Sequence, residues 1–186
     1  MTAAGSVTAD ERLRLFLGLR LPAPVIDAIA AWQAEQLRGV RVVPREHLHI
    51  TLAFLGHRPA GEVAGVISAL QAAAAARRDA RLAPALYHET RSVAMLVLED
   101  LDGGAAALAD DLQGRLEALG VYRREGRPWL PHLTVARFRE RPRLQLEPPP
   151  MGTFVPSDAA AYLSRLHPGG ARYEVLESVA LGDSAS

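Results

Sequence analysis

The chain has 186 residues, 49% of them hydrophobic, which is enough for one domain or two closely packed lobes with a proper core. It contains no cysteine, which excludes disulfides, thiolate zinc sites and thiol catalysis. Formal net charge is zero, so the whole molecule is not an electrostatic magnet for nucleic acid; all 21 basic residues are arginine, so a lysyl nucleophile or Schiff base is excluded too.

Residues 1–11 read as a polar, disordered leader without a signal-peptide pattern. No apolar run is long enough for a membrane span, so a soluble cytoplasmic protein is expected, and a monomer. Residues 14–21 (RLFLGLRL) read as a strand. Pro22 and Pro24 then open a helix, where the first turn tolerates proline; Ile26, Ile29, Ala30 and Leu37 form its stripe and Gly39 ends it. Residues 40–43 are a short extended run. A strand over 47–55 follows, closed by Gly56, and a second helix over 60–77 carries Val63, Val66, Ile67, Leu70 and Ala74 at helical spacing.

Two paired strands are expected at 82–89 and 92–98, with a turn near Thr90-Arg91. Asp102-Gly103-Gly104 starts a third helix with a stripe of Ala105, Leu108, Leu112, Leu116 and Leu119, stopped by Gly120. A further strand spans 131–138. The Arg- and Pro-rich stretch 139–152 reads as an irregular crossover rather than a strand interior. Residues 159–166 and 172–181 read as a closing hairpin around Pro168-Gly169-Gly170, and 182–186 as a tail.

One short pattern occurs twice. His49-Ile50-Thr51-Leu52-Ala53 and His132-Leu133-Thr134-Val135-Ala136 both run His, apolar, Thr, apolar, Ala. Alternation of this kind marks a half-buried strand. On an ideal strand His and Thr share one face, about 6.6 Å apart. Ile50, Leu52, Leu133 and Val135 then face the core, and each Ala follows on the polar face, leaving room for a ligand. The context repeats as well: strand, helix, HxT strand appears over 14–55 and again over 92–138, with Phe16 and Met95 in matching places. The expected fold is α+β: two pseudo-symmetric lobes, each an antiparallel sheet with helices packed outside, and an active-site cleft between the sheets. Residues 12–181 would form this single two-lobed domain.

Two histidines across a cleft suit in-line displacement at phosphorus. One neutral imidazole takes a proton from water and one imidazolium gives a proton to the leaving oxygen, and histidine can do both near neutral pH. Thr51 and Thr134 can donate to non-bridging phosphate oxygens as charge builds there. Seven arginines (123, 124, 127, 137, 139, 141 and 143) against two glutamates give residues 122–143 a local charge of +5, and arginine is a preferred phosphate and RNA partner. Arg137 is the best single candidate. It stands at an odd offset from His132, so it reaches the cleft only if the strand ends or bulges there.

These residues resemble a known family. His49-Ile50-Thr51-Leu52 and Pro131-His132-Leu133-Thr134-Val135-Ala136-Arg137 are similar to the paired HxTx motifs of the two-histidine phosphoesterases, most closely the RNA 2',3'-cyclic phosphodiesterase branch, also called LigT-like 2'-5' RNA ligases. The flanks agree: Arg14-Leu15-Phe16 to Leu21-Pro22, Val43-Pro44 to Leu55-Gly56, and the closing strands with Tyr173 in the usual tyrosine position. The resemblance implies opening of a 2',3'-cyclic phosphate at an RNA end, tRNA fragments among them, to a 2'-phosphate. It implies no metal or other cofactor. It also implies His49 as proton donor to the 3' leaving oxygen, His132 as the base that activates water, and reversible 2'-5' ligation as a side activity. Two features depart from the family pattern: His47 stands where Asn is common, and the leader is long.

Alternatives stay open at this level. Another cyclic phosphate or a 2'-5' oligonucleotide could be the substrate. His47, His49 and His132 could supply three imidazoles to zinc, although no carboxylate or HExxH accompanies them and the threonines would have no role. A non-catalytic nucleotide- or RNA-binding module is the other class, and the intact histidines and threonines argue against it. Trp129 could stack on a base or pack as a hinge. Trp32 reads as core, and His57, His88 and His167 as surface.

Overall fold

The computed structural model describes residues 11–76 and 80–181. The expected tail, and the leader apart from Glu11, lie outside the described residues, as does Arg77, the expected last residue of the second helix.

Among the described residues, eight strands form two antiparallel four-stranded sheets. β1 (Arg12–Arg20), β3 (His49–Pro59), β7 (Asp158–His167) and β8 (Gly170–Ala180) make the first, in the order β3-β1-β7-β8. β2 (Arg41–Val42), β4 (Leu82–Glu89), β5 (Val93–Asp100) and β6 (His132–Arg137) make the second, in the order β2-β6-β5-β4. Among the described residues three α-helices cover them: α1 (Ala23–Gln36), α2 (Val63–Ala76) and α3 (Gly104–Ala118). The α+β class with paired antiparallel sheets is as the sequence implied, and so are the paired strands around Thr90 and the closing hairpin.

Each HxT strand lies beside the first strand of its own repeat, β3 on β1 and β6 on β5. The helices do not stay home in this way. α1 follows β1 in sequence, but two of its buried residues, Trp32 and Gln33, work against the second sheet. Gln33 donates to the Val135 carbonyl of β6, and the Trp32 ring lies 5.9 Å from that of Tyr87 on β4. α3 follows β5, yet Gln113 donates to the Leu52 carbonyl of β3, and the helix packs beside α2, which lies on β7 and β8. The lobes have therefore exchanged helices, and one continuous core runs through both. Ile50, Leu52, Leu133 and Val135 are buried in it, each contributing about 1.5–3 kcal/mol. The start of α3 is capped by carboxylates: Asp100 accepts from the Ala105 and Ala106 amides and Asp102 from that of Gly104.

Both HxT strands bulge at the same place. Gly18 pairs with Thr51 and Leu17 with Ala53, so Leu52 falls opposite no residue. Likewise Met95 pairs with Thr134 and Ala94 with Ala136, leaving Val135 without a partner. A bulge inserts one residue and shifts the alternation beyond it. Ala53 and Ala136 therefore turn into the core, 2% and 0% exposed. That overturns the expectation that they line the polar face. The same register makes Gly18, rather than Phe16, the counterpart of Met95. The first strand also outruns its expected end. Gly56, at φ +67°, carries it past another register shift to Pro59 instead of closing it.

Candidate active site

The two sheets enclose a cleft of about 600 Å³. His49, Thr51, His132, Thr134 and Arg137 all line it, so all five residues singled out from the sequence come together. The two imidazoles are held alike. His49 Nδ1 lies 2.7 Å from the His47 carbonyl oxygen, and His132 Nδ1 lies 2.8 Å from that of Leu130. A carbonyl oxygen only accepts, so each Nδ1 must carry the hydrogen, which leaves each Nε2 as the nitrogen able to take up a proton. His49 Nε2 is 3.1 Å from Thr51 Oγ1.

Burial pulls the His49 pKa below the ordinary histidine value. The bond to the His47 carbonyl opposes that shift, and the positive charges of His47, Arg137 and His132 reinforce it. The free protein therefore favours neutral His49, and a phosphate anion placed among these groups would restore its proton.

Arg137 enters the cleft because of the β6 bulge. The odd offset from His132 would otherwise have aimed it into the core; with Val135 out of register it is exposed on the cleft side. The equivalent bulge in β3 turns Phe54 outward, half exposed, with the Arg14 guanidinium 4.8 Å from its ring centroid. The rest of the arginine cluster disperses. Arg124 pairs with Asp110 and Glu117, Arg127 with Glu125, and Arg141 with Glu89. Of the seven, only Arg137 lines the cleft.

Glu89 anchors the irregular crossover. Its buried carboxylate accepts from Tyr87 Oη, Arg141 Nε and the amides of Arg143 and Leu144, all within 3.1 Å. Burial pushes its pKa up, but these donors outweigh burial and the net shift is downward.

His47 belongs to a 3-10 turn (Arg45–His47) rather than to the strand, so strand alternation does not place it. It still borders the cleft, with its ring 4.3 Å from that of Tyr173. Among the described residues no group of three or more His, Asp or Glu is arranged to hold a metal ion. Trp129 packs against the core and donates to the Thr51 carbonyl at 3.0 Å, so it is a brace rather than a base platform.

Sequence reasoning missed an aromatic floor beneath His49. Phe16 stacks on Tyr162 at 4.6 Å, meets Tyr173 edge-on at 4.8 Å and lies 4.9 Å from His49. Burial pushes the Tyr162 phenol up to about 12, so it stays neutral. Aromatics scattered over β1, β7 and β8 show no local motif; only the sheet order unites them. Gln33 and Gln113 were missed as well, although a glutamine inside an apolar helix stripe was a usable signal.

Two antiparallel sheets facing each other across a paired HxT site define a two-histidine phosphoesterase. A family model described as LigT like Phosphoesterase matches residues 19–83. The chain is 31% identical over 180 residues to the RNA 2',3'-cyclic phosphodiesterase of Thermus thermophilus, covering 91% of this chain and 90% of that protein. Among solved structures, E. coli LigT complexed with 3'-AMP superposes with a TM-score of 0.77 at 26% identity, covering 93% of this chain and all of that one. The Thermus thermophilus protein TT0787 gives 0.76 at 30% identity, covering 91% and 98%. The chain belongs to the LigT-like RNA 2',3'-cyclic phosphodiesterase family.

Proposed function

We propose that this protein opens 2',3'-cyclic phosphates at RNA ends, leaving 2'-phosphates, by metal-independent acid–base catalysis from two histidines within a single two-lobed domain (12–181). The observation that carries the reading is the matched pair of imidazoles lining one cleft, each with Nδ1 fixed to a backbone carbonyl. His132 takes a proton from water, which attacks phosphorus, while protonated His49 gives its proton to the 3' oxygen as that bond breaks. Thr51 and Thr134 donate to the non-bridging oxygens and Arg137 offsets their charge, stabilisation that grows in the transition state. The relatives' names support the substrate class, and the E. coli LigT complex with 3'-AMP supports a nucleotide in the cleft.

The same displacement with an RNA 5'-hydroxyl in place of water would break the bond to the 3' oxygen and join the two ends through a 2'-5' link, so tRNA fragments are a natural substrate to try. The reading is of a monomeric cytoplasmic enzyme. The test is incubation with a short RNA bearing a 2',3'-cyclic phosphate, then identification of the hydroxyl that keeps the phosphate. A 2'-phosphate supports the reading and a 3'-phosphate contradicts it. The activity should survive EDTA; loss with EDTA and recovery with zinc would overturn the metal-free mechanism. An absence of turnover on RNA, other cyclic phosphates and 2'-5' oligonucleotides alike would leave a binding module.

A further inference from the structure

The bulges raise the question of what holds them. A carbonyl pushed out of register needs another donor, because a buried acceptor left unpaired is costly. In the first lobe that donor is a buried glutamine from the other repeat's helix; in the second, the Val135 oxygen accepts from the Val43 amide at 2.9 Å and from such a glutamine as well. Gln33 Nε2 lies 2.8 Å from the Val135 oxygen and 3.0 Å from the Val43 oxygen. Gln113 Nε2 lies 2.9 Å from the Leu52 oxygen. The side chains are deep in the core, at 4% and 8% exposure. Val135 and Leu52 occupy the same place in their motifs, three residues after the histidine. The two residues re-aimed by the bulges, Arg137 and Phe54, occupy the same later place.

We propose that Gln33 and Gln113 are positioning residues of the phosphoester site. Each clamps the bulged carbonyl behind the opposite lobe's HxT motif, and so keeps Arg137 and Phe54 turned into the cleft. The proposal rests on the phosphodiesterase reading for its kinetic consequence but not for its geometry. Gln33 acts on the anionic end of the substrate through Arg137. Gln113 acts through Phe54, a half-exposed apolar face suited to a base or ribose. Neither glutamine touches the reacting atoms.

The experiment is a pair of double-mutant cycles on the full chain, with thermal melts to confirm folding. Arg137→Ala is expected to lower kcat/KM about 10–100-fold, the worth of a charge-assisted contact. Gln33→Met should cost about tenfold and leave the shape of the pH–rate profile unchanged, since the histidines keep their own anchors. Combined with Arg137→Ala it should cost nothing further. The Gln113→Met and Phe54→Ala cycle should behave in the same way and stands alone if Gln33→Met does not fold. Losses that multiply would overturn the proposal, because a merely structural glutamine would act independently of Arg137 or Phe54. So would a crystal structure of a glutamine variant with the bulge intact and Arg137 or Phe54 still in the cleft. That structure decides the geometry even if the parent protein turns over no cyclic phosphate, a result that would count against the function alone.

Discussion

Gly18 stands directly behind His49. A Cβ at position 18 would lie 3.2 Å from His49 Cδ2 and 2.9 Å from the Ile50 carbonyl oxygen. The absent side chain on β1 is what allows the His49 ring its place. The backbone oxygen cannot swing aside as a flexible side chain would, so β3 itself must shift to admit a methyl group. Gly18→Ala should therefore cost about 1–3 kcal/mol of stability and lower kcat by about tenfold or more, since a displacement near 1 Å in a reacting group is expensive. Thermal melting and steady-state kinetics check both, and a variant with wild-type kcat would show that His49 tolerates the push.

Removing either imidazole should cost about 10²–10⁴-fold in turnover. Binding should largely survive, because Thr51, Thr134 and Arg137 remain on the cleft wall. Calorimetric titration of His49→Ala and His132→Ala with 3'-AMP, beside their turnover, separates the two. Retained turnover in either variant would remove that histidine from the mechanism.

The pH–rate profile should be bell-shaped, and the position of its basic limb can be stated. Burial lowers the His49 pKa from its usual 6.5. As the proposed proton donor, His49 must be charged, so its lowered pKa should displace the basic limb of kcat/KM, which reports the free enzyme, toward lower pH. In kcat the limb should move upward, because bound phosphate stabilises the imidazolium. His49→Ala should erase the basic limb and keep the acidic one. If it erased the acidic limb instead, the two histidine roles would be exchanged.

Glu89→Gln should loosen the crossover while sparing the chemistry. The buried carboxylate accepts from four donors, and an amide cannot serve them all. A loss of about 2–4 kcal/mol is expected, with kcat little changed. The wild-type protein should show the matching pH dependence. The folded carboxyl has a lowered pKa, so its contribution is present above the unfolded value of about 4.3 and is lost as pH falls through the folded one. Urea midpoints for both proteins between pH 3 and 7 test this; a gap that persists undiminished at pH 3 would place the effect elsewhere.

Much of this site was legible because His49, Thr51, His132 and Thr134 sit in local alternating patterns that need no tertiary knowledge. Arg137 was legible only as a condition. Its parity was wrong, and the bulge that corrects it lies opposite Ala94 and Met95, far away in sequence. Ala53 and Ala136 misled for the same reason, since alternation is broken by one inserted residue. The arginine-rich stretch looked like a single basic surface, but the partners that divide it (Asp110, Glu117 and Glu89) come from other elements. The helix exchange left no local trace, because an amphipathic stripe states that a helix is covered and not by which sheet.

That exchange bears on how the protein comes to exist at all. A nascent chain ending after β3 would hold α1 with no second sheet to lie on, and β3 without the amide that reaches Leu52. Such a half is expected to remain open until residues beyond 130 arrive, because β1 lacks its second neighbour β7 and the Gln33 side chain on α1 lacks its acceptor on β6. The two cleft histidines are thus assembled in one cooperative event. A population of molecules with one working histidine and one unformed lobe should not accumulate, and splitting the gene between the repeats should yield two insoluble pieces rather than two half-enzymes.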